Sequence, residues 1–324
     1  MPILHPERYQ GQKIKSSYFE GWYFKWVDAM RQNGLVVIPG IAKGQDPHAF
    51  IQLLSPTLQK STYYRFSLTD FVANRKQFHI KIQQNTFSHN KVVLNLTSGD
   101  LQVQGEMHTS SSYSWPVRLW SPGAMGWYAW LPAMQCYHGI LSMDHVLNGR
   151  IMINSHWVDF TQGRGYAEKD WGTGFPSAYI WMQSNHFETT GTSLSLSVAT
   201  IPWLGSSFTG FIVGLLHEGK LYRWTTYNRS AIEQIQIDDH QLVLIFANRK
   251  SRLQITARRS GQPEKLLGPD QGNMTSRIME SLDTKVDIQL HSLKGEKLYA
   301  GRGEWTGLEV QGDVSKLQSG RRLI

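Results

Sequence analysis

Glu168 and Asp170, two residues apart in the stretch RGYAEKDWGTGFPSAYIWMQSN (Arg164–Asn185), are the side chains of this sequence best placed to do chemistry. Lys169 and Trp171 interleave with them, and a Gly-Thr-Gly-Phe-Pro turn leads into the strand-like run Tyr179–Gln183. Burying an ionised carboxylate beside an indole costs desolvation energy and raises its pKa, so such an acid can keep its proton near neutrality. Acids perturbed in this way cluster at functional sites. The chemistry they suit is proton donation to an alkene. Glu168 is the expected donor; Asp170, or His156 on the adjoining sheet, is the expected group that takes a proton back within hydrogen-bond reach. If Asp170 is ionised next to Lys169, its charge instead raises the pKa of Glu168 further, and the residues alone leave both options open.

Protonating an alkene also requires a dry cavity and groups that tolerate a developing tertiary carbocation. Desolvated aromatic faces contribute roughly 0.5–2 kcal/mol each, which makes Trp22, Trp171, Tyr179 and Trp181 candidate wall residues. Near the N-terminus, strand alternation in SYFEGWYFKW puts Glu20, Trp22, Phe24 and Trp26 on one face, a carboxylate ending an aromatic wall. Gly21 leaves room there for a ligand or a neighbouring backbone. His138, Asp144, His145, Asn154, His156 and Asp159 form a polar cluster in sequence, but their spacing matches no zinc signature and Cys136 is the single cysteine. No metal is expected, and His156 reads as a hydrogen-bonding partner or proton shuttle. A Walker lysine loop, a GxSxG elbow and a dinucleotide fingerprint are all missing, which argues against ATP, acyl-enzyme and nicotinamide chemistry.

The elements that must position these residues are strands. Short runs of alternating apolar residues, among them Leu35–Ile38, Ala49–Leu54, Val92–Leu96, Ile151–Val158, Phe211–Leu216 and Gln241–Phe246, are separated by turn signals at Asn33-Gly34, Asn148-Gly149, His217-Glu218-Gly219 and Lys294-Gly295. This is an all-β pattern, enough for two antiparallel barrels or sandwiches with few short helices. One helix is expected over Met274–Leu282, with Asn273 as its cap and Ile278, Met279 and Leu282 on one face. The segment Ser114–Gly139 interrupts the alternation with three prolines, three glycines and four tryptophans. It reads as a long loop over a cavity mouth, with Trp120, Trp127, Tyr128 and Trp130 as wall, or as a crossover packed on the sheet. The polar, glycine-rich Phe160–Gly165 marks the expected junction between domains 1–163 and 164–324.

Composition narrows the class. A chain of 324 residues with 40% hydrophobic and 18% charged residues has ample core material and suits two domains. The net charge of +8 suits peripheral contact with anionic membranes. Its densest pieces, Asn248–Arg252, Arg258-Arg259 and Arg321-Arg322, are short and separated, as solvated hairpin tips are, and nucleic acid is not an expected partner. With one cysteine, no apolar leader-like run and no membrane-length apolar segment, the expectation is a soluble cytoplasmic protein.

SYFEGWYFKW at Ser17–Trp26, YAEKDWGTGFPSAYIWMQSN at Tyr166–Asn185 and GLEVQGDV at Gly307–Val314 resemble, in order, the motifs of the tocopherol cyclase family. The resemblance implies two lipocalin-like β domains related to carotenoid hydratases and no cofactor. It also implies acid-catalysed closure of a chromanol ring on a prenylated quinol or similar isoprenoid. Within the matching motifs, Tyr23 and Tyr166 join Glu20, Trp22, Trp171, Tyr179 and Trp181 as expected substrate contacts. The family's EKNWG reads Glu168-Lys169-Asp170-Trp171-Gly172 here, an acid in place of an amide, and Ser177–Ile180 replaces a more basic and aromatic run.

Overall fold

The computed structural model describes residues 2–56, 61–99, 101–132, 134–259 and 263–318; the basic pair Arg321-Arg322 lies outside them. The chain forms two compact units, Met1–Phe175 with Lys265–Arg277, and Pro176–Glu264 with Ile278–Ile324. Almost every element is an antiparallel strand, and the curled, lipocalin-like β architecture expected from sequence is what forms.

The first sheet contains β1 (Phe19–Val27), β2 (Gly34–Ala42), β3 (His48–Leu54), β4 (Thr62–Phe66), β5 (Phe71–Ala73), β6 (His79–Ile82), β7 (Asn85–Ser88), β8 (Lys91–Ser98), β9 (Leu101–Tyr113), β10 (Cys136–Ile153), β11 (His156–Asp159) and β12 (Arg164–Gly172). Its order is β4-β3-β2-β1-β12-β10-β9-β8-β7-β6-β5, with β11 on β10. The stretch carrying Glu168 therefore sits in the middle of the first sheet, and the unit boundary falls after Phe175, not at 163. Pairing explains the shift, because β12 has hydrogen-bonded neighbours on both sides, β1 and β10. Apolar alternation fills one face: Trp22, Phe24 and Trp26 pack with Ile51, Ile80 and Phe87, and Trp22 stacks on Phe78 at 5.9 Å between ring centroids. The segment 265–277 joins this unit through Gln52, whose amide exchanges hydrogen bonds with the Leu267 backbone at 2.8 and 3.2 Å.

The second unit is built on β13 (Tyr179–Ser184), β14 (His186–Phe187), β15 (Ser193–Trp203), β16 (Ser206–His217), β17 (Lys220–Thr225), β18 (Ala231–Ile237), β19 (Gln241–Ala247), β20 (Ser251–Arg258), β23 (Lys297–Gln311) and the part of β22 (Asn273–Ser292) from Ile278 on; β21 (Glu264–Asp270), from Lys265 on, and the start of β22 fall in the segment that belongs to the first unit. Its sheet runs β17-β16-β15-β13-β23-β22-β20-β19-β18, with β14 on β23 and β21 on β22. Ile180, Met182, Leu196, Val213, Phe246 and Ile255 are part of its core. The turns at Glu218-Gly219 (φ 49° and 70°) and Gly295 (φ 85°) form as expected.

Three local expectations are corrected. Met274–Leu282 is strand, not helix: Ile278, Glu280 and Leu282 are all buried, and burial at i, i+2 and i+4 is strand alternation. Ile278 and Leu282 alone fit either period. Asn148-Gly149 is not a turn; it lies inside β10, where a Cβ on Gly149 would come within 2.2 Å of the Glu106 carbonyl. Ile151–Val158 is two strands, because the chain reverses at Asn154-Ser155, both with positive φ (48° and 69°).

Close packing of β1, β2 and β3 is tested at Gly40. A Cβ there would meet Phe50 Cζ at 2.3 Å and the Glu20 carbonyl oxygen at 2.7 Å. Gly40→Ala is expected to cost about 1–3 kcal/mol in urea unfolding, as overpacking does. An unchanged midpoint would contradict this packing.

Candidate active site

Strand alternation divides the organising stretch between two faces. On β12, Gly165, Ala167, Lys169 and Trp171 lie opposite Trp26, Phe24, Trp22 and Glu20 of β1, while Tyr166, Glu168 and Asp170 lie opposite Lys25, Tyr23 and Gly21. Residues directly across an antiparallel pair share a face, and Phe24 and Ala167 belong to the apolar core. Glu168 and Asp170 are thus on the sheet face that turns away from that core, with Tyr23 and Tyr166. Glu20, Trp22 and Trp171 are on the core face and do not line the same wall.

β10 completes the acidic face. His138 lies opposite Asp170, and Ile140 opposite Glu168. The His138 ring hydrogen-bonds through Nδ1 to Asp170 Oδ1 at 2.9 Å, and its Nε2 is 3.8 Å from Glu168 Oε2. The Tyr166 hydroxyl donates to the same Glu168 oxygen at 2.5 Å. Glu168 is buried, as is Tyr166. Burial by itself works against a charged imidazole, but the neighbouring carboxylates Asp170 and Glu168 more than offset it and push His138 up to about 9. At neutral pH the ring is therefore a cation between two acids. Since this pKa is raised from 6.5, its contribution to stability is full below pH 6.5 and is lost as pH rises through about 9. Cys136 Sγ lies 3.9 Å from Asp170 Oδ1; burial, then Asp170 and Glu168, raise its thiol well above the ordinary value, which leaves it a poor nucleophile.

One atom from each of His138, Glu168 and Asp170 falls within 4.8 Å of the others, a span that could hold a divalent cation. A coordinating imidazole nitrogen must first lose its proton. The basic ring therefore makes a proton and a metal competing occupants of one position.

The core face has a different task. Lys169 Nζ pairs with Glu20 Oε1 at 2.6 Å, both side chains fully buried, and donates to the carbonyls of Pro6 (2.8 Å) and Arg8. Glu20 also accepts from the Tyr18 hydroxyl at 2.5 Å and from the backbone N–H groups of Gln10 and Gly11. Lys169 lies 4.5 Å from the Trp171 ring centroid and 5.0 Å from that of Trp22. Burial lowers the Lys169 pKa while Glu20 pulls it back. This arrangement fastens the N-terminal segment across the end of the core, and Lys169 does not face Asp170.

His156 is not brought to this site. It is exposed and pairs with Ile153 at the far end of β10 from Ile140, with a local hydrogen bond to the Asn154 carbonyl at 2.9 Å. The histidine that sequence reasoning grouped with it, His138, takes the central position; its signal was the single intervening residue that puts His138 and Ile140 on one face of a strand. Of the rest of that polar group, Asp144 binds Arg164 and His145 is buried, pushed down to about 3 by burial and then by His89. In the second unit, Tyr179 and Trp181 are buried on the face of β13 opposite Ile180 and Met182. The Tyr179 hydroxyl donates to Glu309 at 2.7 Å, and Glu309 lies directly across from both Trp181 and Glu280. Glu309 belongs to the motif GLEVQGDV, but its acid partner Glu280 was not singled out from sequence.

A lipocalin-like β protein with an imidazole–carboxylate cluster around the buried Glu168 on a sheet face is the class that fold and site define. The family model described as tocopherol cyclase-like matches residues 16–312, and the chain belongs to that family. A probable tocopherol cyclase from Oryza sativa subsp. japonica is 27% identical over 127 residues, and a tocopherol cyclase from Zea mays 26%; both are described as chloroplastic. Each match covers 38% of this chain and only 27% of the plant protein. Among solved structures, CghA with Sch210972 matches with a TM-score of 0.57 at 8% identity, covering 91% of this chain and 89% of that one. Kievitone hydratase from Nectria haematococca matches with 0.52 at 8%, covering 94% of each. At these identities the likeness is one of fold.

Proposed function

We propose that this protein is an acid–base enzyme that closes a chromanol-type ring on a prenylated quinol or related isoprenoid by protonating its double bond. The observation that supports this reading is the His138 ring held between Asp170 and Glu168, with Tyr166 bound to Glu168, on a face out of contact with the apolar core. The mobile proton rests on His138 and passes from Nε2 to Glu168. Glu168 hands it to the less substituted alkene carbon: a C–H bond forms from the π pair and a tertiary cation is left. The substrate's phenolic oxygen closes on that cation, and its proton returns to Glu168 and then to His138, so no atom is gained or lost. Asp170 acts as a positioning residue that orients the ring. Tyr23, directly across from Glu168, and Tyr166 offer aromatic faces to the cation.

Turnover of a prenylated hydroquinone in deuterated water tests the proposal. The product should carry one solvent deuterium on carbon and no solvent oxygen. Oxygen from labelled water in the product would make the enzyme a hydratase, and stoichiometric retention without product would make it a binding protein. The rate should be insensitive to a chelator, because on this reading the cluster works with a proton on His138 and not with a cation.

The basic ring also sets a pH signature. Protonated His138 supplies the relay, so the rate is expected to hold through neutrality and fall as pH rises through about 9. His138→Gln should remove that limb along with about 10²–10⁴-fold of the rate, the usual worth of a positioned acid–base group. A parent profile with no basic limb, or a His138→Gln profile that retains it, would show that the relay runs through another group.

A further inference from the structure

The geometry points to the loop Trp115–Leu131 as a bilayer-docking surface that inserts Leu119, Trp120, Trp127 and Trp130 among phospholipid headgroups. These side chains are 59, 72, 44 and 41% exposed, and Val117 beside them is 40% exposed. So much apolar surface left in water within one loop marks an interaction site. The loop is held in shape. Arg118 and Ser121 exchange backbone hydrogen bonds at 3.1 and 3.0 Å, the Trp130 indole donates to the Leu119 carbonyl at 2.9 Å, and Trp127 stacks on Tyr128 at 4.1 Å. Gly126, at φ 59° and ψ −142°, takes the kink between two 3-10 turns. A preformed display of this kind loses little further conformational entropy on binding.

Residue type and charge select a bilayer over another protein surface. Indoles are the side chains that prefer the membrane–water interface, where the ring is half apolar and the N–H stays wet. Between Glu106 and Asp144 the chain has no Asp or Glu, Arg118 stands at the exposed tip, and the whole chain carries +8. A carboxylate-free, arginine-bearing apolar loop meets anionic headgroups without repulsion, and each nearby cation adds to the attraction. The inference stands apart from the reaction proposed above, because binding to vesicles is read without turnover.

Flotation with phosphatidylcholine vesicles, with and without phosphatidylglycerol, tests it. The full chain should float with the phosphatidylglycerol vesicles, and brominated lipid should quench part of its tryptophan fluorescence. Leu119→Ser with Trp120→Ser should weaken partitioning by roughly a hundredfold, about tenfold for each lost side chain, and reduce the quenching while the melting temperature is kept. Trp157→Ser, which removes an exposed indole on β11, should leave partitioning unchanged. No flotation of the parent chain, or equal partitioning of the double variant, would overturn the proposal. So would concentration-dependent self-association that the double variant abolishes with no vesicle binding by the parent, since the loop would then serve a second copy of the chain.

Discussion

Glu168→Gln is expected to abolish ring closure, lowering the rate by about 10²–10⁴-fold while the protein stays folded. The amide keeps the shape of the side chain and can still accept from the Tyr166 hydroxyl, so packing and the apolar core on the other face are undisturbed. What it removes is the carboxyl group 3.8 Å from His138 Nε2 and directly across the strand pair from Tyr23. The substrate should still bind, so the loss should fall on kcat more than on KM. Asp170→Asn probes the neighbouring position differently: it keeps a hydrogen-bond acceptor for His138 and removes a charge that helps hold the ring protonated. Its basic limb should move to lower pH. A Glu168→Gln enzyme with parental turnover would remove Glu168 as the donor and leave the family membership intact.

Lys169→Met should cost about 3–5 kcal/mol of stability, because it removes one member of a fully buried ion pair and leaves the other charged. Glu20 would keep the Tyr18 hydroxyl and the Gln10 and Gly11 N–H groups but lose its only cation at hydrogen-bonding distance among the described residues. The Pro6 carbonyl would lose its Lys169 donor as well, and the Arg8 carbonyl would keep its hydrogen bond from Gln10 Nε2. The N-terminal segment should loosen first, so trypsin should cut after Arg8 in the variant before it cuts the parent. Pairing Lys169→Met with Glu20→Gln should restore much of the loss, because no uncompensated charge then remains. Urea denaturation of the two single variants and the double variant gives the coupling energy directly. Strict additivity would show that the pair has no energetic link, and the N-terminal segment would need another fastening.

The two predictions concern adjacent residues with unrelated tasks, and the amino-acid order conceals this. Glu168, Lys169, Asp170 and Trp171 read as one polar and aromatic cluster in sequence. A strand sends odd and even positions to opposite faces, so Lys169 and Trp171 join Glu20 and Trp22 on the core side, and Glu168 and Asp170 face away with Tyr23. The preference for His156 over His138 failed for a related reason. His138 lies near the start of the long strand β10 and His156 just past its end, and only the register of β10 against β12 decides that His138 meets Asp170. The helix expected at Met274–Leu282 failed because Ile278 and Leu282, four apart, satisfy helical and strand periods equally, and the burial of Glu280 between them breaks the tie.

From the sequence alone came the all-β class, the short-strand alternation, several hairpin positions, the family motifs and the pair of acids on which the proposed chemistry is built. These are local properties: side-chain period, turn-forming residues and composition act within a few residues of one another. Tertiary structure alone decided which histidine joins those acids, which aromatic residues share their face, and that Lys169 belongs to a buried ion pair closing off the core. Those outcomes depend on strand pairing across tens of residues, where a slip of one position would turn every side chain to the opposite face.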